Sequence, residues 1–144
     1  LHLHHPGPEP LLPADSKAAV QVRMLDRVFD NYVMAVVQNS VGEAIAKGKL
    51  SDETRRAVEE KLEKSYRWID EWLAGYSNRD TITLIECAAA PSLFYADWVY
   101  EIPAKYGRLK AWRAHLLALP PIKRCVDDAR PFRPYFPLGA PDRD

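Results

Sequence analysis

Thr83 and Glu86 stand three residues apart at the head of an apolar run, and this helix start constrains the fold more than any other feature of the chain. In Thr83-Leu84-Ile85-Glu86 the hydroxyl can accept the Glu86 backbone N–H, and the Glu86 carboxylate can accept the Thr83 N–H. These are the reciprocal bonds of a capping box. Ile82 before the cap and Cys87 at the fourth helical position predict the hydrophobic staple that accompanies such a box. Cys87-Ala88-Ala89-Ala90 then offers a thin surface onto which neighbours can close, with Leu93, Phe94, Trp98 and Val99 beyond it. Pro91 lies inside the pattern and predicts a kink, because it removes one backbone hydrogen bond. A helix so apolar and so thin reads as central and mostly buried.

The other segments share the helical period. Leu25, Phe29, Tyr32 or Val33, and Val36 recur at threes and fours, predicting a long helix from about Asp15 to Lys47, capped by Asp15 or Ser16 and ended by Gly48. Ser51 caps a second, with Asp52 and Glu53 in its first turn and Val58, Leu62, Ile69, Trp72 and Leu73 on its buried side. Glu60–Lys64 and Glu63–Arg67 are i,i+4 pairs in the favourable order, and Gly75 suits the C-terminal end. Leu109, Trp112, Leu116 and Leu119 mark a further helix. Pro121 opens a short last one, with Ile122, Cys125, Val126 and Ala129 facing in. No strand pattern of useful length occurs, so the fold class is all-α, a bundle of five or more helices. The organisation reads as a helix end, the close of a preceding domain, running into a proline-rich linker over 1–13, a helical domain over 14–130 with a short loop over 76–82, and an irregular tail over 131–144.

The chain has 144 residues, room for one core-forming domain. Twenty basic residues balance twenty acidic ones. A nucleic-acid binder needs a basic face, so that class is disfavoured. No apolar run is long enough to span a bilayer and no signal peptide is visible, which points to a cytoplasmic protein. Cys87 and Cys125 fall in helical segments without a CxxC partner and read as reduced core thiols. His2, His4 and His5 cluster without a Cys, Asp or Glu to complete a metal site.

No glycine-rich phosphate loop, HExxH or GxSxG occurs. Asp97 and Glu101 can share a helix face, but ion pairing with an arginine suits Asp97 better than acid–base work. His115 reads as a surface or packed side chain. Tyr32, Tyr66, Tyr76 and Tyr95 are explained equally by packing and by donation to a ligand. The residues alone give a helical domain without an autonomous active site.

The capping box and staple, followed by Phe94-Tyr95-Ala96-Asp97-Trp98, resemble the core helix of glutathione transferase C-terminal domains. His5-Pro6-Gly7-Pro8 through Leu11-Leu12-Pro13 is similar to that family's interdomain linker. Arg23 to Tyr32 resembles the first C-domain helix of bacterial members, and Ala129 to Pro137 resembles their tail. One departure is Glu86, where the family usually has Asp. The resemblance implies a parent enzyme that activates glutathione, its co-substrate, as a thiolate and adds it to an electrophile. It places the catalytic residue in an N-terminal thioredoxin-like domain outside this chain, so no catalytic residue, metal or resident cofactor is assigned here. The C-terminal domain would supply the electrophile-site wall and part of a homodimer interface. Arg27, Asn31, Met34 and Gln38, spaced four, three and four, form the stripe expected to face that site. The alternative is a non-catalytic interaction or scaffold domain, as in synthetase and elongation-factor assemblies.

The capping box makes a direct prediction. Thr83→Ala should cost about 1 kcal/mol, rising to about 2 for a buried cap. Thermal melts measure this, and an unchanged midpoint would mean that Thr83 is not the cap.

Overall fold

The computed structural model describes residues 4, 7, 9–76 and 81–144. The reading of residues 1–3, 5, 6 and 8 as a helix end entering a linker, and of 77–80 as loop, lies outside the described residues. Among the described residues there is no strand. The elements run α1 (Ser16–Val28), a π-helical segment (Phe29–Met34), α2 (Ala35–Lys47), α3 (Asp52–Trp72), α4 (Leu84–Val99), α5 (Gly107–Ala118), α6 (Pro120–Ala129) and a 3-10 helix (Arg130–Tyr135). Because α1, the π segment and α2 are continuous, the bundle has five helical rods, and the all-α expectation holds.

α4 is the central rod. It packs against α1, the π segment, α2 and α5. Ile85, Ala88, Ala89, Ala90, Leu93 and Ala96 are all buried, so the small side chains bring neighbouring helices close. Its capping box is formed as read from the sequence. Thr83 N donates to Glu86 Oε2 at 2.8 Å and Thr83 Oγ1 accepts from Ile85 N at 3.2 Å. The connector adds a cap of its own, since Leu84 N donates to Leu11 O at 3.1 Å. Two of the helix's orphan N–H groups are thereby satisfied from outside the helical ladder. Pro91 is exposed and α4 continues through it.

The first rod departs from the simple period. At its π segment the Ala35 N–H reaches back five residues to Asp30 O. The wider turn leaves Phe29, Val33, Val36 and Val37 buried and turns Tyr32 out, 64% exposed. Of the two alternatives at this turn, Val33 is therefore the core residue and Tyr32 is not. Ser65 of α3 donates its hydroxyl to Tyr32 O at 2.8 Å, supplying a partner at the turn where the regular ladder is interrupted.

Two further expectations change in the folded chain, and one contact was not expected. Glu63 does not pair with Arg67. It accepts from Tyr106 Oη at 2.7 Å and Tyr100 Oη at 3.1 Å and pairs with Lys105, a cross-helix cluster that outcompetes a surface i,i+4 pair. The cap of α3 is Leu73, and Gly75 does not adopt the left-handed conformation that Gly48 shows at φ 70°. Gly48 fulfils its role, being the residue type that bears a positive φ at no steric cost. Finally, α5 has no N-cap side chain of its own. Asp70, buried on α3, accepts the Leu109 N–H at 2.9 Å and pairs with Arg108 at 3.2 Å.

The α2–α3 junction is closed by Glu43. Its carboxylate pairs with Lys47 at 2.8 Å and accepts from the Ser51 hydroxyl at 3.1 Å. Lys47 first, then the Thr54 and Ser51 hydroxyls, hold the Glu43 carboxyl down to about 2 from its usual 4.5. A carboxyl depressed on folding stabilises the fold fully above its unfolded pKa and loses that contribution as pH falls through the folded value. Glu43→Gln should therefore be less stable than the parent at pH 7. The gap between their melting temperatures should close as pH falls from 4.5 to about 2. A gap independent of pH would show that the charge of Glu43 is not what holds the junction.

Candidate functional site

The stripe expected to face a substrate is split by the π segment. Arg27 is exposed and pairs with Asp26 at 2.7 Å and Asp30 at 2.8 Å. Asn31 is exposed. Met34 is half-buried against the core, and the exposed Gln38 places Nε2 at 3.8 Å from its sulfur. Met34 and Gln38 are thus brought together, while Arg27 is held by its own acidic neighbours one turn away. Of the four, Gln38 alone lines any of the four cavities described here.

One cavity is an apolar groove of about 430 Å³ between the N-terminal half of α4 and α6. Ile82, Ala90, Pro91, Leu117 and Ile122 form its walls, with both cysteines on its lining. This corrects the reading of Cys87 and Cys125 as core thiols: both are free, and both are exposed. The reason lies in α6, none of whose residues is fully buried. Its apolar face, Ile122, Cys125, Val126 and Ala129, borders the groove instead of sealing against α4. The staple residues Ile82 and Cys87 also line it. At its edge Glu86, 2% exposed, accepts from Tyr76 Oη at 2.5 Å and Thr83 Oγ1 at 2.6 Å. Partial burial first, then the carboxylates of Glu86 and Asp26, push the Cys87 thiol up from 9.0.

A second cavity, about 360 Å³, lies between α2, the C-terminal half of α4 and the tail. Phe94, Tyr95 and Trp98 of α4 face Phe136 across it, and Gln38 and Arg133 are polar members of its lining. The tail, expected to be irregular, begins with the 3-10 helix and is then latched by ions. Asp97, buried, accepts from Arg143 Nε at 3.2 Å and from Ile102 N at 2.8 Å. Arg143 also reaches Glu101 at 3.8 Å. The ion-pairing role expected of Asp97 is thus present. Arg113 lies 3.6 Å from Asp97 and donates to Leu93 O and Asp144 O at 3.2 and 3.1 Å. Burial pulls the Arg113 guanidinium below its usual value, against the attraction of Asp97.

Two further cavities measure about 270 Å³ beside Tyr32, Lys64 and Trp68, and about 390 Å³ beside Tyr76, Arg108 and Trp112. Among the described residues no group of three or more His, Cys, Asp or Glu could hold a metal, and no helix is long and apolar enough to cross a membrane. Sequence reasoning missed the tail cavity and the exposure of the thiols. The four aromatic residues between Phe94 and Phe136 that line the cavity were visible in the chain, but nothing local showed that they converge. No protein-family model matches the chain, and no curated protein matches it.

The raised Cys87 thiol carries a measurable consequence, because the thiolate is the reactive form. Iodoacetamide labelling of Cys87, followed by mass spectrometry, should be slower at pH 8 than that of a free cysteine derivative. Its rate should still climb beyond pH 9. A rate that levels off below that pH would contradict the environment described.

Proposed function

We propose that this chain is the helical C-terminal domain of a glutathione-transferase-like enzyme that conjugates glutathione to electrophilic substrates. In this reading it contributes the electrophile-site wall and dimer contacts. The observation that carries it is the capping box at the head of the buried, alanine-lined α4, the motif on which the resemblance rests. A flexible, half-buried Met34 beside the polar Gln38 suits a wall that meets varied apolar electrophiles. The catalytic residue and the glutathione site belong, in this reading, to a thioredoxin-like domain. Met34 and Gln38, in mutual contact, are the central pair of the wall, with Arg27 and Asn31 toward its outer end.

The scaffold alternative draws on a different observation. Tyr32 and Trp68 are 64% and 42% exposed beside the cavity they share with Lys64, and exposed aromatic surface is characteristic of protein interfaces.

Conjugation of glutathione to a chloronitrobenzene separates the two. The protein carrying its thioredoxin-like domain should conjugate, and Met34→Ala in it should change the ratio of rates for small and bulky electrophiles more than it changes stability. The 144-residue chain alone should neither conjugate nor bind glutathione by calorimetry, and at micromolar concentration it should scatter light mainly as a monomer. Saturable glutathione binding by this chain would contradict the division of labour. Inactivity of the larger protein across varied electrophiles would favour the scaffold.

A further inference from the structure

The tail cavity has features that packing alone does not require. Its walls are rings: Tyr95 stacks on Phe136 with centroids 5.8 Å apart, and Trp98 meets Phe94 at 4.6 Å and Phe136 at 5.3 Å. Phe132 and Tyr135 on its lining are 65% and 79% exposed, an unusual waste of aromatic surface unless something covers it. Trp98 Nε1 is buried without a hydrogen-bond partner, a state in which an indole N–H gains by meeting an acceptor. The Arg133 guanidinium lies over the same indole, 5.4 Å from the ring centroid, which puts a cation beside the unpartnered donor's ring. The anion that Arg133 now meets is Asp144, on the tail itself. Gln38, whose amide meets only the Met34 sulfur, adds a further polar group on the α2 side.

The geometry points to a binding site for a small planar aromatic carboxylate. Its rings lie among Tyr95, Trp98 and Phe136. Its carboxylate takes the Trp98 indole hydrogen and shares the charge of Arg133 with Asp144. A cavity of about 360 Å³ has room for two fused rings with a carboxylate. The Trp112 Nε1 is also buried and unpartnered, but its surroundings differ: the rings of Phe29, Trp72 and Tyr76 enclose it in the core, and the neighbouring Arg108 is committed to Asp70. The inference concerns this chain's own residues and does not depend on the conjugation reading.

Titration of the ¹⁵N-labelled chain with 2-naphthoate tests it. The indole N–H resonance of Trp98, assigned from its loss in Trp98→Phe, should move saturably while those of Trp68, Trp72 and Trp112 stay in place. Trp98→Phe keeps an aromatic ring at the site while removing the N–H and part of the indole, and it should bind 2-naphthoate about tenfold more weakly by calorimetry. Arg133→Gln should weaken binding in the same direction, and in the parent the uncharged 2-naphthalenemethanol should bind less tightly than the carboxylate. No saturable movement of the Trp98 resonance at millimolar probe, a larger movement at Trp112, or equal affinity in Trp98→Phe would each overturn the assignment. If Trp98→Phe fails to fold, the parent titration and Arg133→Gln decide.

Discussion

Three buried carboxylates, each accepting a backbone N–H that lies outside the helical ladders, hold this bundle in register. Glu86 takes Thr83 N, Asp97 takes Ile102 N and Asp70 takes Leu109 N. Burying a carboxylate is costly unless its oxygens are satisfied, and here each has at least two partners. The cost is offset because each carboxylate fixes a place where a helix begins or a chain turns. Glu86 sets where α4 starts, Asp97 sets how the chain leaves it, and Asp70 ties α5 to α3. Apolar packing supplies the driving force, but these three acids specify which helix end meets which neighbour.

Both ends of α4 are thus fixed, and two of the cavities lie along it. Its N-terminal half, with Cys87 and Ala90, borders the groove against α6. Its C-terminal half, with Phe94, Tyr95 and Trp98, forms the floor of the tail cavity. A rigid central rod flanked by an amphipathic helix and an ion-latched tail is a natural arrangement for binding apolar molecules, because the floor is preorganised. The buried Asp97 also links the two levels, since the carboxylate that accepts Ile102 N is the one that holds Arg143 of the tail.

What was legible in the sequence was local. The Thr83–Glu86 box, the Ser51 cap and Gly48 depend on residues a few positions apart and are where spacing placed them, and α6 opens on Pro120, one residue before the expected Pro121. What was not legible depended on partners distant along the chain. Glu63 looked like half of a surface pair with Arg67 until the fold brought Lys105, Tyr100 and Tyr106 to it. Tyr32 fitted the apolar stripe until a π turn, with Ser65 donating to its carbonyl, moved Val33 into that place. The helical wheel assumes one uniform turn, so it did not show that a π segment runs through the Arg27–Gln38 stripe. Cys125 fitted an inward face, yet α6 has nothing sealed over that face.

Native-state amide hydrogen exchange tests the organising role of the buried acids most directly. The Thr83, Ile102 and Leu109 amides are bonded to a buried carboxylate and would exchange at loop rates if the carboxylates were incidental. The account predicts that all three are protected to the level of core amides such as those of Leu62 and Leu93, because they open only when the bundle does. Exchange at the rate of exposed loop amides, with the core still protected, would contradict it.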